Sequence, residues 1–325
     1  MASNRSKNCY DFRPAWEVDC EYTVGTRIAE GKEIYNITIR DMVTTCCLPD
    51  SKSRPACVIK KIRKAQEAIS ERTFHEIFQT DRIRDSQSIA KAYLGFYTKD
   101  AGAPKTYCLI SKKYDFDLYS YMSNNDSTMN KKQFFHELYN LAGALATIHI
   151  PGPGYFGVHH DLKPHNILVE LGANSTVRRL LITDFGHSKI QRGSHPFCVN
   201  QAQDSDAAYF PPEYRGGSVM NWESDIWALG CVFFEMSIWQ KLGKIQFNRF
   251  TRSKDRLPDS NMALNGDLAK PVHKFFGRIR DKNIDKSWEE VMSLIKNDMM
   301  NTNPTDRMDA DEISCQLRLI AGQSR

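Results

Sequence analysis

Within the stretch His159-His160-Asp161-Leu162-Lys163-Pro164-His165-Asn166 a possible base, a cation and an amide able to ligate a metal lie almost side by side. A carboxylate can take up the proton of an attacking hydroxyl, and an ammonium can steady a growing negative charge. Carboxylate and amide oxygens are the hard donors that magnesium prefers. Asp184-Phe185-Gly186 adds a second carboxylate after a strand-turn-strand pattern, and Cys57-Val58-Ile59-Lys60 ends a short apolar run on a lysine. Singly, each segment is weak. Asp-Phe-Gly is a turn in most proteins, and Lys60 also begins a solvated run with Lys61, Arg63 and Lys64 of the kind read elsewhere as a nuclear import patch. His149, His159, His160 and His165 gather in the same region, and metal coordination by them is not expected.

The elements that must hold these groups follow from periodicity. Residues 1–20 read as an irregular tail. Tyr22 to Arg40 has the β-branched and aromatic content of two strands, interrupted at Ala29 to Glu33. A Pro/Ser/Asp-bearing loop, Leu48 to Pro55, leads into a strand at Ala56 to Ile62 and then a helical pattern through Phe74, Ile77, Phe78 and Ile83. Tyr107 to Ser111 is a further strand, and a helix starts near Asp117. From Lys131, the residues Phe134, Leu138, Leu141, Leu145 and Ile148 repeat at helical spacing. Ile167 to Val169 and Leu180 to Thr183 flank a polar turn. Helical signals dominate beyond Trp222, where Ile226 to Met236 is apolar enough to be buried nearly all round. The chain is strand-rich first and helix-rich afterwards.

Composition bounds the rest. The 325 residues are 41% hydrophobic and 26% charged, near globular averages. A net charge of +5, spread along the chain, falls short of the concentrated basic stripe of a nucleic-acid binder. Nine scattered cysteines, never spaced as Cys-x-x-Cys, argue against a zinc site or a disulfide framework and predict a reducing compartment, cytoplasmic with nuclear entry open. No apolar run is long enough to span a bilayer, so no membrane partner is expected. Gly152, Gly154 and Gly157 match Gly-x-Gly-x-x-Gly literally, but a helix precedes them and no helix follows, so they read as a helix-ending loop insertion.

Tyr209-Phe210-Pro211-Pro212-Glu213, Asp225-Ile226-Trp227-Ala228-Leu229-Gly230 and Arg307 complete an ordered set. With the segments above, it resembles the signature of the eukaryotic protein kinases, serine/threonine type, over nearly the whole chain after the tail. The resemblance implies an α+β, two-lobed fold: an antiparallel-sheet lobe with one main helix over about 21–113, and a mostly helical lobe over about 114–322. It implies ATP and Mg2+ as cofactors and a protein hydroxyl as acceptor. Lys60 would bind the α- and β-phosphates, held by a helix carboxylate for which Glu76 is the candidate. Asp161 would be the base, Lys163 would steady the transferred group, and Asn166 and Asp184 would ligate the metal. Gly31, Ile28, Ser111 (as gatekeeper), Lys113 and Leu168 complete the nucleotide contacts it implies. Glu213 and Arg307 would form a buried ion pair, and Asp225 would accept hydrogen bonds from the catalytic-loop backbone. Small-molecule kinases of related fold usually lack the Glu213 and Arg307 partners.

Three positions depart from the family pattern. Of the glycine-rich loop only Gly31 is retained, with bulky Ile34 at the third glycine position, and this supports an alternative reading as a nucleotide-binding or scaffolding pseudokinase. His160 stands where many kinases carry an arginine that reads a phosphate. His187 to Phe210 holds serines but no threonine, with Asp206 near the usual threonine position. Activity without phosphorylation of that segment is the expectation.

Overall fold

The computed structural model describes residues 4–10, 17–28, 32–42, 56–77, 86–98, 106–127, 129–193, 207–214, 221–257, 261–264, 266–282 and 284–323. The chain divides into two compact units, one comprising 1–84 and 90–114, the other 85–89 and 115–325. The helix residues Phe78 and Ile83, the loop 48–55 and the serines Ser194 and Ser205 lie outside the described residues.

The first unit is a six-stranded sheet in the order β1-β2-β3-β4-β6-β5, built from β1 (Asn4–Tyr10), β2 (Glu17–Arg27), β3 (Glu33–Met42), β4 (Cys57–Ile62), β5 (Ala92–Thr98) and β6 (Thr106–Lys112). Every neighbouring pair is antiparallel. Among the described residues one helix, α1 (Ala65–Ile77), accompanies it. Alternation along the strands sorts their side chains into two layers. Ile37, Cys57, Ile59, Leu94, Phe96, Cys108 and Ile110 pack together, whereas Ile62, Tyr107 and Leu109 cluster with Ala68 of α1. Lys60 is two residues from both Val58 and Ile62, so it projects on the face that α1 covers. The expected irregular tail is corrected here: residues 4–10 form edge strand β1, paired along β2. Strand pairing uses backbone groups, so a polar segment with no apolar alternation can still fill an open edge.

The second unit is mostly helical. Its helices are Leu118–Asn124, Lys131–His149, Trp222–Leu242, Lys244–Lys254, Lys270–Arg280, Lys286–Ser293 and Ala310–Gln323. Asp117, Asn130 and Asp285 cap three of them, each side chain accepting from a backbone N–H one turn in. Helix Trp222–Leu242 is buried continuously from Ser224 to Trp239, which is why its apolar residues show no amphipathic stripe. Gly230 permits a close crossing, since a Cβ there would lie 2.9 Å from Met299 Cβ. Small sheets carry the loops between helices. β9 (Ile167–Leu171) lies between β7 (Phe116–Asp117) and β10 (Val177–Ile182), and β8 (Tyr155–Val158) pairs with β11 (Lys189–Arg192). Ser88 is tied to this unit, its carbonyl accepting from Ile182 N at 2.8 Å.

β8 explains the triple-glycine segment. Gly154 adopts φ +73° in the turn that opens the strand. A Cβ on Gly157 would lie 2.3 Å from the Ile148 carbonyl oxygen, closer than real Cβ contacts allow. These glycines serve chain reversal and close backbone approach, not phosphate binding.

Candidate active site

A single turn of 3-10 helix, Pro164–Asn166, follows Lys163, and the loop before it is fixed from below by Asp225 in the buried helix. Asp225 Oδ2 accepts from His159 N at 2.7 Å and Oδ1 from His160 N at 2.8 Å. His149 Nε2 lies 3.2 Å from Asp225 Oδ2. Burial works against the Asp225 charge, yet the hydrogen bond and positive potential of His149, with lesser help from His160 and His159, hold its pKa down at about 2.

Asp161 stands just above, only 7% exposed. Its Oδ1 accepts from Lys163 Nζ at 2.9 Å and its Oδ2 from Asn166 Nδ2 at 2.7 Å. Asn166 Nδ2 also reaches the Asp161 backbone carbonyl at 2.7 Å. Both amide hydrogens are thereby directed at Asp161, which leaves Oδ1 as the metal-ligating atom of Asn166. A carboxylate offers about four acceptor positions, so Asp161 can take one further hydroxyl donor.

Asp184 is tied to the same loop through its neighbour. Thr183 N donates to the Asn166 carbonyl at 2.9 Å, and His159 Nε2 lies 3.1 Å from the Thr183 carbonyl. A carbonyl only accepts, so Nε2 carries the proton, and Nδ1 accepts from Asp161 N at 3.3 Å. Burial lowers the His159 pKa against the pull of Asp225, Asp161 and Asp184, which agrees with a neutral ring. Phe185 packs edge-on against that ring, centroids 5.2 Å apart. Asp184 itself sits at φ +69°, a region that aspartate enters more readily than most residues.

Asp184 and Asn166 make a hard oxygen donor set with no thiolate or imidazole in it, which fits magnesium and not zinc. Among the described residues no group of three or more His, Cys, Asp or Glu side chains is placed to hold a metal on its own. Such an ion would draw its remaining ligands from phosphate and water. Leu168, half-buried on β9 opposite Asp117, is the remaining site residue of this unit.

In the first unit, Lys60 Nζ donates to Glu71 Oε2 at 2.8 Å, with Glu71 only 2% exposed. This corrects the expectation for Glu76, which lies at the surface and pairs with Arg72 along its own helix at 3.1 Å. Residues 71 and 76 differ by about 140° around a helix of 3.6 residues per turn. Ala68, Glu71, Phe74 and His75 share the buried face, so counting back one turn from Phe74 identifies Glu71 from the sequence. Ser111 is half-buried on β6 opposite Val58, and Lys113 N donates to the Ala56 carbonyl at 2.7 Å. Ile28, 43% exposed, donates its N–H to the Ile34 carbonyl. Gly31 lies outside the described residues.

Two further features anchor the end of the 187–213 segment. Arg307 Nη1 and Nη2 donate to the two Glu213 oxygens at 2.6 and 2.7 Å. Lys254, Tyr209 and Glu235, all buried, form a closed triad that periodicity did not reveal: Lys254 Nζ donates to Glu235 Oε1 at 2.8 Å and Tyr209 Oη to Glu235 Oε2 at 3.0 Å. His160, at φ +64°, has a buried Nε2 with no hydrogen-bond partner, and burial pulls its pKa down to about 4. It therefore carries no charge at neutral pH.

An antiparallel-sheet unit carrying α1, a helical unit, and this loop geometry define a protein kinase domain. The profile of that family matches residues 40–317, and the chain belongs to it. It is 31% identical over 133 residues to the Serine/threonine-protein kinase US3 of Human herpesvirus 2 (strain HG52), covering 40% of this chain and 25% of that protein. It is 28% identical over 198 residues to the Mitogen-activated protein kinase HOG1A of Wallemia ichthyophaga, covering 59% and 47% respectively. A third relative, the Serine/threonine-protein kinase ksg1 of Schizosaccharomyces pombe, is 35% identical over 91 residues, 24% of this chain and 14% of its own. The chain thus spans from about a seventh to about half of the length of these relatives.

Proposed function

We propose that this protein transfers the γ-phosphoryl group of ATP to serine or threonine hydroxyls of protein substrates. The observation that carries this reading is the Asp161 carboxylate, held between Lys163 and Asn166 with acceptor capacity to spare. Phosphoryl transfer needs positioned cations and geometry more than covalent chemistry. In this reading Asp161 accepts the substrate hydroxyl proton and Lys163 neutralises charge on the moving group. Lys60, oriented by Glu71, binds the α- and β-phosphates, while Asn166 and Asp184 would hold magnesium, which would supply positive charge against the phosphates. Lys163 within Asp-Leu-Lys-Pro-His-Asn is the serine/threonine form of the loop, and two of the relatives reported above, US3 and ksg1, are named serine/threonine-protein kinases.

A magnesium-dependent transfer assay on a generic protein substrate, with Asp184→Asn as control, tests the proposal. Asp161→Ala is expected to lower kcat by about 100- to 10,000-fold, the usual contribution of a general base, without unfolding the protein. If wild type and control are equally silent while ATP still binds, the scaffolding reading suggested by Ile34 takes its place. Activity is further proposed to be independent of phosphate in the 187–210 segment, since neutral His160 supplies no cation there. Abolition of activity by combined Ser194→Ala and Ser205→Ala would sink that point. An intracellular site of action, cytoplasmic or nuclear, is proposed from the free thiols of buried Cys231 and exposed Cys315, and cell fractionation checks it.

A further inference from the structure

A cavity of about 230 Å³ opens in the helical unit, lined by neither Asp161 nor Asp184 and bordered by Gly157 of the triple-glycine segment. Its walls are Ala146, Ile150, Phe156, Val158, Trp222 and Ala310. His149 also lines it, 8% exposed, and this is the imidazole whose Nε2 lies 3.2 Å from Asp225. Exposed Asp309, just before helix Ala310–Gln323, and exposed Asp311 in its first turn contribute to the lining.

We propose that this cavity binds a small organic cation: an aromatic body of about bicyclic size carrying a protonated amine. Its volume falls just below that of common ligand pockets, and its mainly apolar and aromatic walls suit a flat ring. The charge follows from the rim. A helix N-terminus alone contributes roughly half a positive charge, and Asp309 at the cap with Asp311 and Glu312 in the first turn outweigh it. Asp309 Oδ1 already accepts from Glu312 N at 2.8 Å as a cap, so Asp311 is the carboxylate left to face an ammonium group. The ring face of Trp222 adds attraction for a cation.

The site has a route to the catalytic loop. A ligand touching His149 touches the group bonded to Asp225, and Asp225 holds the backbone N–H groups of His159 and His160 immediately before Asp161. Occupancy is thereby linked to how firmly that loop is held, through two hydrogen-bonded contacts.

Tryptamine is the probe, with 3-ethylindole as its uncharged counterpart, and calorimetric titration of the full chain is the measurement. Saturable binding of tryptamine at 1:1 is expected, with the neutral analogue about tenfold weaker or more. Ala146→Phe, which fills the cavity, is expected to abolish binding. Asp311→Asn, an exposed change that leaves the fold intact, should weaken it about two- to fivefold, the usual range for one partly solvated charge pair. The His149 ring resonances should move with tryptamine in wild type and stay fixed in Ala146→Phe. No saturable binding, binding undiminished in Ala146→Phe, or equal affinity for both probes overturns the proposal. None of these readouts requires phosphoryl transfer, so they stand or fall apart from the kinase reading.

Discussion

Glu71 Oε2 accepts a hydrogen bond of 2.8 Å from Lys60 Nζ, and Glu71 Oε1 lies 3.5 Å from His75 Nε2, so one buried carboxylate joins β4 to α1. The pair fixes the lysine head group where a flexible side chain would otherwise sample many rotamers.

Replacing Glu71 by Ala is expected to lower kcat/KM for ATP by about ten- to a hundredfold, in line with one lost charge-assisted hydrogen bond. Glu76→Ala should change stability by less than about 0.5 kcal/mol and leave ATP kinetics unaltered, because its pair with Arg72 is exposed. ATP-dependence curves for the two variants decide; equal losses would count against the assignment of Glu71.

Arg307 has more to lose than Glu213. Beyond the bidentate pair, its Nε donates to the Asn301 carbonyl at 2.8 Å and its Nη1 to the Glu223 carbonyl at 2.9 Å, and its guanidinium lies 5.2 Å from the Trp227 ring centre. Arg307→Ala is expected to cost about 3–5 kcal/mol, the range for breaking a buried ion pair. Glu213→Ala should cost less, since the arginine keeps both carbonyls. Urea unfolding gives the ranking, and the reverse order would contradict it.

Glu137 introduces a pH dependence near neutrality. Burial raises its pKa to about 7, against the opposing hydrogen bonds from Leu180 N, at 2.8 Å, and from Asn140. The folded state therefore favours the protonated acid, and this contribution to stability declines as pH rises from about 4.5 to about 7. The slope approaches about 1.4 kcal/mol per pH unit. His160 acts oppositely: with its folded pKa near 4, stability falls as pH drops below 6.5 towards 4. Glu137→Gln keeps an acceptor for Leu180 N and removes only the first slope. The difference in melting temperature between wild type and Glu137→Gln should widen in favour of the variant from pH 5 to pH 7.5, and a constant difference would refute the assignment.

Gly157→Ala and Gly152→Ala separate two readings of the triple-glycine segment. A Cβ added at Gly157 would meet the Ile148 carbonyl oxygen at 2.3 Å, whereas the nearest atom to one on Gly152 is 4.0 Å away. The first variant is expected to be strongly destabilised or insoluble and the second close to wild type, with nucleotide affinity of the folded variant unchanged. Loss of nucleotide binding in Gly152→Ala would return the segment to phosphate recognition.

The order of motifs, the long helix from Lys131 and the all-round apolar helix after Trp222 were legible in the amino-acid sequence, because local periodicity and fixed spacing are properties of the chain itself. Asp161, Lys163, Asn166 and Asp184 stand close in the sequence, on one loop and the strand-turn after it. The strands β5, β8 and β11 were not legible: β8 and β11 span only four residues each, too few to show a period, and Gly95 interrupts the apolar run of β5.

That a carboxylate of α1 meets Lys60 was settled by tertiary structure, although the spacing of Glu71 one turn before Phe74 already placed it on the apolar face. Glu71 and Glu76 are equal in composition and both lie on α1, and the choice follows from which face of α1 packs on Ile62 and its neighbours. The same holds for His149 and Asp225, and for Lys254 with Glu235. Spacing along a chain sets which side chains share an element's face, but which face is buried against which depends on packing between elements distant in sequence.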